Sequence, residues 1–163
     1  MFMFNFLKKD IDKVKSVGFD ISEKTRCGSL VQVDNKTGYF NCKNDKVEIL
    51  PTSLALKKYS WAKKYLWQAV DKNKDKFTRE VVRFSQEGYF IWAKRGAKID
   101  VPVQACLYIK KKNLHQRVHN LIIAEEGSSL NIITGCAISP KIFSGLHIGI
   151  SEFFIKKGES ADV

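Results

Sequence analysis

The sequence lacks the motifs that usually reveal a catalytic or metal-binding site. It contains no glycine-rich phosphate loop followed by Lys-Ser or Lys-Thr, no GxSxG and no HExxH, which argues against enzymes of these classes and most strongly against a nucleotidase. The four cysteines include no CxxC pair, so neither a zinc knuckle nor a dithiol redox motif is indicated. These absences favour a protein that binds or supports rather than one that catalyses.

Long apolar runs are also missing. No segment approaches the roughly 18 uncharged apolar residues that a membrane-spanning helix needs. The start, MFMFNFLKKD, is apolar for only a few residues and has no small-residue cleavage site, so a secretory signal is not indicated. We therefore expect no membrane association, a cytoplasmic location and reduced cysteines.

Positive charge is abundant, with a formal net charge of +11. Such a balance permits binding to nucleic acid, an acidic partner or an anionic surface, and it also fits a solvated, lysine-rich surface. Lysine supplies most of the excess, whereas residues that read bases or phosphates are more often arginine. Nucleic acid is therefore not the expected partner, and the alternative function is a basic nucleic-acid-binding module built on a lysine-rich helix predicted over 53–76.

The most informative pattern is a segment that occurs three times. Each copy has a short β-rich stretch, two charged residues, a glycine and a second alternating stretch. Gly96, Gly127 and Gly158 are spaced 31 residues apart. A constant interval with shared turn residues is typical of stacked repeats, and short alternating flanks favour strands over helices. The copies span 90–101, 121–136 and 153–163.

The repeat predicts a mainly β fold. We expect the coils of a parallel β-helix (solenoid) over residues 88–163, preceded by a small α/β region over residues 1–87. In the α/β region we expect a helix ended by Gly18, then a hairpin, and a long helix that begins at Ser53. The last coil resembles only the opening of a strand and carries no cap, so the β-helix is expected to be incomplete at its C-terminus.

Five side chains form a thiol–imidazole set of the kind that suits iron, zinc and iron–sulfur clusters. Superposing the repeats places Cys106 and Cys136 one residue apart, so in regular strands their side chains point to opposite faces and are not expected to share a ligand. Cys136 can also be a small buried residue, as free cysteines often are. The set consists of Cys106, His115, His119, Cys136 and His147.

The three histidines of this set differ in their surroundings. His147 is equivalent to Gln116 of the preceding repeat. The other two, His115 and His119, fall in the polar stretch 110–119, which is predicted to be a loop between coils. We expect them to be ordinary surface histidines.

Several segments together resemble a known family. They read ILPTSLALKKYSWAKKYLW, GYFIWAKRGAKIDVPVQACL, NLIIAEEGSSLNIITGC and GLHIGISEFFIKKG. In combination they are similar to the SufB/SufD family of iron–sulfur cluster assembly scaffolds, and in particular to its short archaeal members. The resemblance covers roughly residues 47–163.

The resemblance implies a parallel β-helix core and a cytosolic complex. In that complex two SufB/SufD-type subunits pair, as a homodimer or a heterodimer, and each binds a SufC-type ATPase. The scaffold is not an enzyme; it receives sulfur and iron and holds the nascent iron–sulfur cluster transiently.

The resemblance also selects two site residues. Cys136 occupies the Gly-Cys motif, whose cysteine is linked to sulfur transfer in the SufB branch, and His147 matches the Leu-His motif. The family's cluster ligands and its ATPase-docking helices correspond to positions beyond residue 163. We therefore expect no cluster bound to this fragment, and its metal ligands stay unassigned.

Overall fold

A computed structural model describes residues 6–84, 87–157 and 160–162. Helices alternate with strands in the first half, and strands dominate the second. The helices are α1 (Lys8–Ser16), α2 (Thr52–Lys58) and α3 (Lys76–Phe84), with a 3₁₀ helix at Ser60–Tyr65. The strands are β1 (Gly28–Val33), β2 (Lys36–Cys42), β3 (Val47–Pro51), β4 (Tyr89–Ala93), β5 (Lys98–Ile109), β6 (Leu114–Ala124), β7 (Ser129–Ile138), β8 (Gly145–Ile155) and β9 (Ser160–Asp162).

The strands form two sheets. The first has the order β2-β1-β5-β7-β9 and the second the order β3-β4-β6-β8. Both sheets are mixed, since the β1–β2 and β3–β4 pairs are antiparallel whereas the remaining pairs are parallel. The N-terminal hairpin is confirmed as β1 and β2. The first helix is confirmed as α1, and Gly18 follows it with a φ of 87°, a backbone conformation that glycine adopts without strain.

The apolar side chains divide into three buried clusters, and each occupies a different layer. The central cluster lies between the sheets and includes Leu30 and Leu107 from the first sheet and Ile122 from the second. The helix α1 covers the outer face of the first sheet over Cys106 and Tyr108. The helix α2 and the 3₁₀ helix cover the outer face of the second sheet. Both sheets are thus buried on two faces over much of their area.

The 31-residue interval sets the register of the β4–β6, β6–β8 and β7–β9 pairs. All of β6 pairs with β8 at this interval, from Leu114 opposite Gly145 to Ala124 opposite Ile155. Gly96 and Gly127 adopt positive φ values of 69° and 73° in the matching turns, where glycine avoids the strain that a side chain would cause. The third glycine of the repeat, Gly158, lies outside the described residues.

One irregularity interrupts this interval in the first sheet. The register between β5 and β7 shifts between Ile99 and Val103, around Pro102, which has no N–H to donate to a ladder. The shift places Cys136 opposite Leu107, two positions further along than the constant interval predicts. Because the shift is even, the side chain still points to the same face.

The prediction of a parallel β-helix is wrong. The described residues form a mixed α/β fold of two open, mixed sheets and no solenoid or closed sheet. The repeat correctly indicates parallel strands in register, but the antiparallel strands β2 and β3 lie at one edge of each sheet. The division into 1–87 and 88–163 stays a prediction, although strands from both parts share each sheet. Within the described residues, no helix is long and apolar enough to cross a membrane.

Candidate functional site

Cys136 lies on β7 with its side chain directed between the two sheets. Its register partner Leu107 belongs to the central cluster, and paired residues of neighbouring strands present their side chains to the same face. Cys136 is nevertheless exposed. The described residues of the next strand, β9, pair only with Ser129, Leu130 and Asn131, at the opposite end of β7.

Cys106 occupies the opposite face of the same sheet. It pairs with Gly135 and packs in the cluster beneath α1, where it is fully buried. Burial raises the pKa of the Cys106 thiol to about 12, so the thiol stays protonated and unreactive. The prediction that Cys106 and Cys136 point to opposite faces is confirmed.

The close approach of Val17 to β7 explains why position 135 of the Gly-Cys motif is a glycine. A Cβ built on Gly135 would lie 2.7 Å from the carbonyl oxygen of Val17, in the segment that follows α1. No side chain fits in that space without moving the segment or the strand. The absence of a side chain on one face of β7 therefore lets α1 pack closely and fixes the position from which Cys136 projects on the other face.

His147 lies on β8 opposite Gln116 of β6, as the repeat predicted. Its Nδ1 is 2.9 Å from Oε1 of Gln116, whose side chain is completely buried. The ring lies against Gly149, because a Cβ built there would be 3.0 Å from His147 Nε2. Burial lowers the pKa of His147 below its usual value, which favours the neutral ring.

Cys136 and His147 line the same groove. It has a volume of about 280 Å³ and is lined by residues of both sheets, Gly145 of β8 among them. Its walls combine apolar side chains with Gln116 and Lys13. A thiol, an imidazole with a lowered pKa and one nearby cation can bind soft metal ions or anionic sulfur species.

His119 is not a surface histidine, so that prediction is wrong. The strand β6 begins at Leu114, and His119 is buried on its outer face. Its Nε2 lies 2.7 Å from Oε2 of Glu152, a fully buried carboxylate that also accepts backbone N–H groups from Trp67, Ala69 and Val70. Burial lowers the pKa of His119, against the opposing effect of Glu152. The pair holds residues 67–70 in place, and neither of its members lines the groove of Cys136 and His147.

His115, by contrast, is on the surface as predicted. Its ring lies 3.1 Å from Arg117, which forms an ion pair with Glu80. Neither His115 nor His119 lines the groove of Cys136 and His147. Within the residues that the structure describes, no group of three or more His, Cys, Asp or Glu side chains is arranged to hold a metal ion.

The lysine-rich helix predicted over 53–76 does not form as one helix. The helix α2 ends at Lys58, a 3₁₀ helix follows, and Trp67 has a positive φ of 59°. The aromatic rings of this segment pack on the protein: Trp61 lies 5.0 Å from Trp92, and Tyr65 lies 4.8 Å from Phe154. The single lysine-rich helix predicted for the nucleic-acid alternative is therefore not formed, and nucleic-acid binding itself stays a prediction.

Comparison with known proteins finds relatives that are all iron-sulfur cluster assembly proteins. No family profile matches the chain. It is 45% identical over 148 residues to an iron-sulfur cluster assembly SufBD family protein of Archaeoglobus fulgidus, and 44% identical over 146 residues to one of Methanothermobacter thermautotrophicus. It is also 26% identical over 144 residues to the iron-sulfur cluster assembly protein SufB of Bacillus subtilis.

These matches cover most of this chain and a smaller part of each relative. The alignments include 91%, 87% and 85% of this chain, but 40%, 36% and 31% of the respective relatives. The chain thus spans at most about two fifths of the length of these curated relatives.

Proposed function

We propose that this chain, which belongs to the SufBD family of iron–sulfur cluster assembly proteins, handles sulfur during assembly through Cys136, with His147 beside it. The observation that supports the proposal is that both side chains line one open groove between the sheets. Cys136 is the exposed cysteine, whereas the thiol of Cys106 is buried and its pKa is raised to about 12. Sulfur and iron are the cargo of this site.

The chemistry that the site can support is thiol exchange. The Cys136 thiolate attacks the outer sulfur of a donor persulfide, R–S–SH. A new S–S bond forms on Cys136, the S–S bond of the donor breaks, and the donor leaves as R–S⁻. Lys13 lines the same groove, and its ammonium favours an anionic sulfur species there. The reaction transfers one sulfur atom and needs no added oxidant or reductant.

We further propose that the protein acts as a scaffold rather than as an enzyme. In this role it works in the cytoplasm, away from membranes, with a second SufB/SufD-type subunit and a SufC-type ATPase, and it holds the iron–sulfur cluster transiently. Support comes from the relatives, which are iron-sulfur cluster assembly proteins. The partners are tested by affinity purification of the natural protein: recovery of a SufC-type ATPase supports this part, and its absence contradicts it.

Anaerobic persulfide loading tests the role of Cys136. The chain is incubated with a low-molecular-weight persulfide, and protein-bound sulfane sulfur is located by mass spectrometry. We expect the wild type and Cys42→Ser to carry sulfur on residue 136, and Cys136→Ser to lose most of the uptake. Cys42 is a suitable control because it is half-buried and its Sγ lies 3.1 Å from the Val47 carbonyl. Equal uptake by Cys136→Ser would refute the proposal.

A further inference from the structure

Gln116 is completely buried beneath the groove, and its orientation is fixed by the backbone. Its Nε2 lies 2.5 Å from the carbonyl oxygen of Asp34 and 3.5 Å from that of Tyr108. Both oxygens can only accept hydrogen bonds, so the amide NH₂ group must face them. With the amide turned in this way, Oε1 points to His147.

The acceptors that hold Gln116 are themselves well anchored. The Asp34 carboxylate accepts N–H groups from Lys110 and Lys111 at 2.7 and 3.0 Å, and the Asp34 N–H donates to the Tyr108 carbonyl at 2.7 Å. The Asp34 carbonyl also accepts from Nε2 of Gln32, at 3.0 Å. The turn after β1 therefore forms a rigid support under the Gln116 amide.

The orientation of Gln116 determines where His147 carries its proton. Oε1 of Gln116 can only accept, and it lies 2.9 Å from Nδ1 of His147, so Nδ1 must donate. In a neutral ring the second nitrogen, Nε2, then has a free lone pair. Nε2 lies beside Gly149, and the ring occupies the space that a side chain at this position would need.

We infer that Gln116 is a positioning residue that holds His147 in the Nδ1–H tautomer, so that the Nε2 lone pair and the Cys136 thiol together can bind a thiophilic divalent metal ion such as Fe²⁺. A ligating histidine usually donates its other ring N–H to a fixed acceptor, and loss of that acceptor costs about 10- to 100-fold in metal affinity. The metal part of the inference rests on the proposed function, whereas the tautomer does not.

Nitrogen NMR of the whole chain, labelled in its histidines, tests the tautomer. Spectra are taken about two pH units above the ordinary histidine pKa, and His147 is assigned by the signals that His147→Gln lacks. We expect a pyrrole-type Nδ1 and a pyridine-type Nε2 in the wild type. A wild-type ring protonated at Nε2 would overturn the inference, whatever the variants do.

Two variants of Gln116 distinguish an effect on the His147 tautomer from an effect on protein stability alone. Gln116→Met removes the acceptor and is expected to let His147 populate both tautomers. Gln116→Glu keeps an acceptor for Nδ1–H while losing the donor to the Asp34 carbonyl, so it should lose stability but keep the tautomer. The control Gln104→Met removes another fully buried amide, one that bonds Asp20 and Ser29, and should leave the His147 tautomer unchanged. An unchanged tautomer in Gln116→Met would contradict the inference.

Cobalt(II) serves as the metal probe. In the wild type we expect a thiolate-to-metal absorption band that Cys136→Ser abolishes, and Gln116→Met should weaken binding by about 10-fold or more. Equal Co²⁺ affinity in the wild type and Gln116→Met would contradict the positioning role in metal binding. If persulfide loading of Cys136 fails while the tautomer and its response to Gln116→Met are as expected, the proposed function is wrong and the positioning of His147 stands.

Discussion

His119 and Glu152 form a buried pair, with 2.7 Å between Nε2 of His119 and Oε2 of Glu152. The carboxylate also accepts the backbone N–H groups of Trp67, Ala69 and Val70 at 2.6, 2.8 and 3.2 Å. One side chain on β8 thus attaches the irregular segment after the 3₁₀ helix to the second sheet. Trp67 is held in a left-handed conformation that costs free energy in a residue other than glycine.

We predict that Glu152→Ala lowers the free energy of unfolding by about 3 to 5 kcal/mol, because His119 and three backbone donors lose a buried acceptor. Urea denaturation followed by circular dichroism measures the change. Glu126→Ala is the matched control, since Glu126 is an exposed carboxylate paired with Arg95, and it should cost no more than about 1 kcal/mol. Equal losses in the two variants would show that the Glu152 network does not stabilise the fold.

The same network explains why the long helix predicted from Ser53 was wrong. Apolar residues of the predicted helix, such as Ala62 and Leu66, do pack on the second sheet. However, the amides of residues 67, 69 and 70 bond to Glu152, more than 80 positions away in sequence, instead of to carbonyls four residues earlier. Local periodicity cannot reveal a competitor that arrives from a distant strand.

Burial of polar residues explains a second wrong prediction. The stretch 110–119 was predicted to be a surface loop because of its polarity, yet β6 begins at Leu114. Its polar residues Gln116 and His119 are buried because each meets a hydrogen-bond partner on β8, namely His147 and Glu152. A hydropathy pattern contains no information about such partners.

The repeat interval correctly predicted which strands are parallel neighbours and which faces their side chains occupy, although the register of β5 with β7 is shifted by two residues. It correctly placed His147 opposite Gln116, and it correctly placed Cys106 and Cys136 on opposite faces of a sheet. It could not predict whether the parallel strands would close into coils, because closure depends on how the antiparallel strands and helices of the first half pack. The groove lined by Cys136 of the first sheet and His147 of the second could not be predicted, because it forms only when the two sheets pack together.

We predict that Gly135→Ala disturbs the Gly-Cys site. The new methyl group would lie 2.7 Å from the Val17 carbonyl oxygen, so α1 or β7 must move, at a cost of about 1 to 3 kcal/mol. Persulfide uptake by Cys136 should fall together with the free energy of unfolding. Gly96→Asn is the control, since a Cβ there meets no atom within 4 Å and asparagine tolerates positive φ. Unchanged stability and uptake in Gly135→Ala would refute the close-packing argument.

Asp10 should make the stability of the protein dependent on acid pH. Burial of the carboxylate would raise its pKa, but hydrogen bonds from the side chains of Tyr108 and Ser139 and from the Leu7 N–H outweigh burial and lower the pKa. Since the folded-state pKa lies below the unfolded value of about 3.9, the stabilisation is complete above that value and is lost as the pH falls through the folded-state pKa.

Asp10→Asn tests this prediction. At neutral pH the variant should lose about 1 to 3 kcal/mol, and the difference from the wild type should shrink as the pH falls below about 4. Denaturation series at several pH values measure both effects. Asp12→Asn, an exposed neighbour on the same helix, should show little change at any pH. If the wild type and Asp10→Asn differ in free energy of unfolding by the same amount down to pH 2, the lowered pKa of Asp10 is contradicted.

The cysteines should react with alkylating reagents in an order set by their exposure. Cys136 is exposed, whereas Cys27 and Cys106 are buried and have thiol pKa values raised by burial to about 11 and 12. Only the thiolate reacts, so iodoacetamide at neutral pH should modify Cys136 first and leave both buried thiols intact until the protein unfolds. Mass spectrometry of the digested protein at successive times measures the order.

Cys136→Ser should remove the fast phase and leave the slow phases unchanged, because Cys136 lies on the opposite face of β7 from the cluster that buries Cys106. Early modification of Cys106 in the folded protein would mean that α1 does not shield its thiol from the reagent. It would then contradict the assignment of sulfur handling to Cys136 alone.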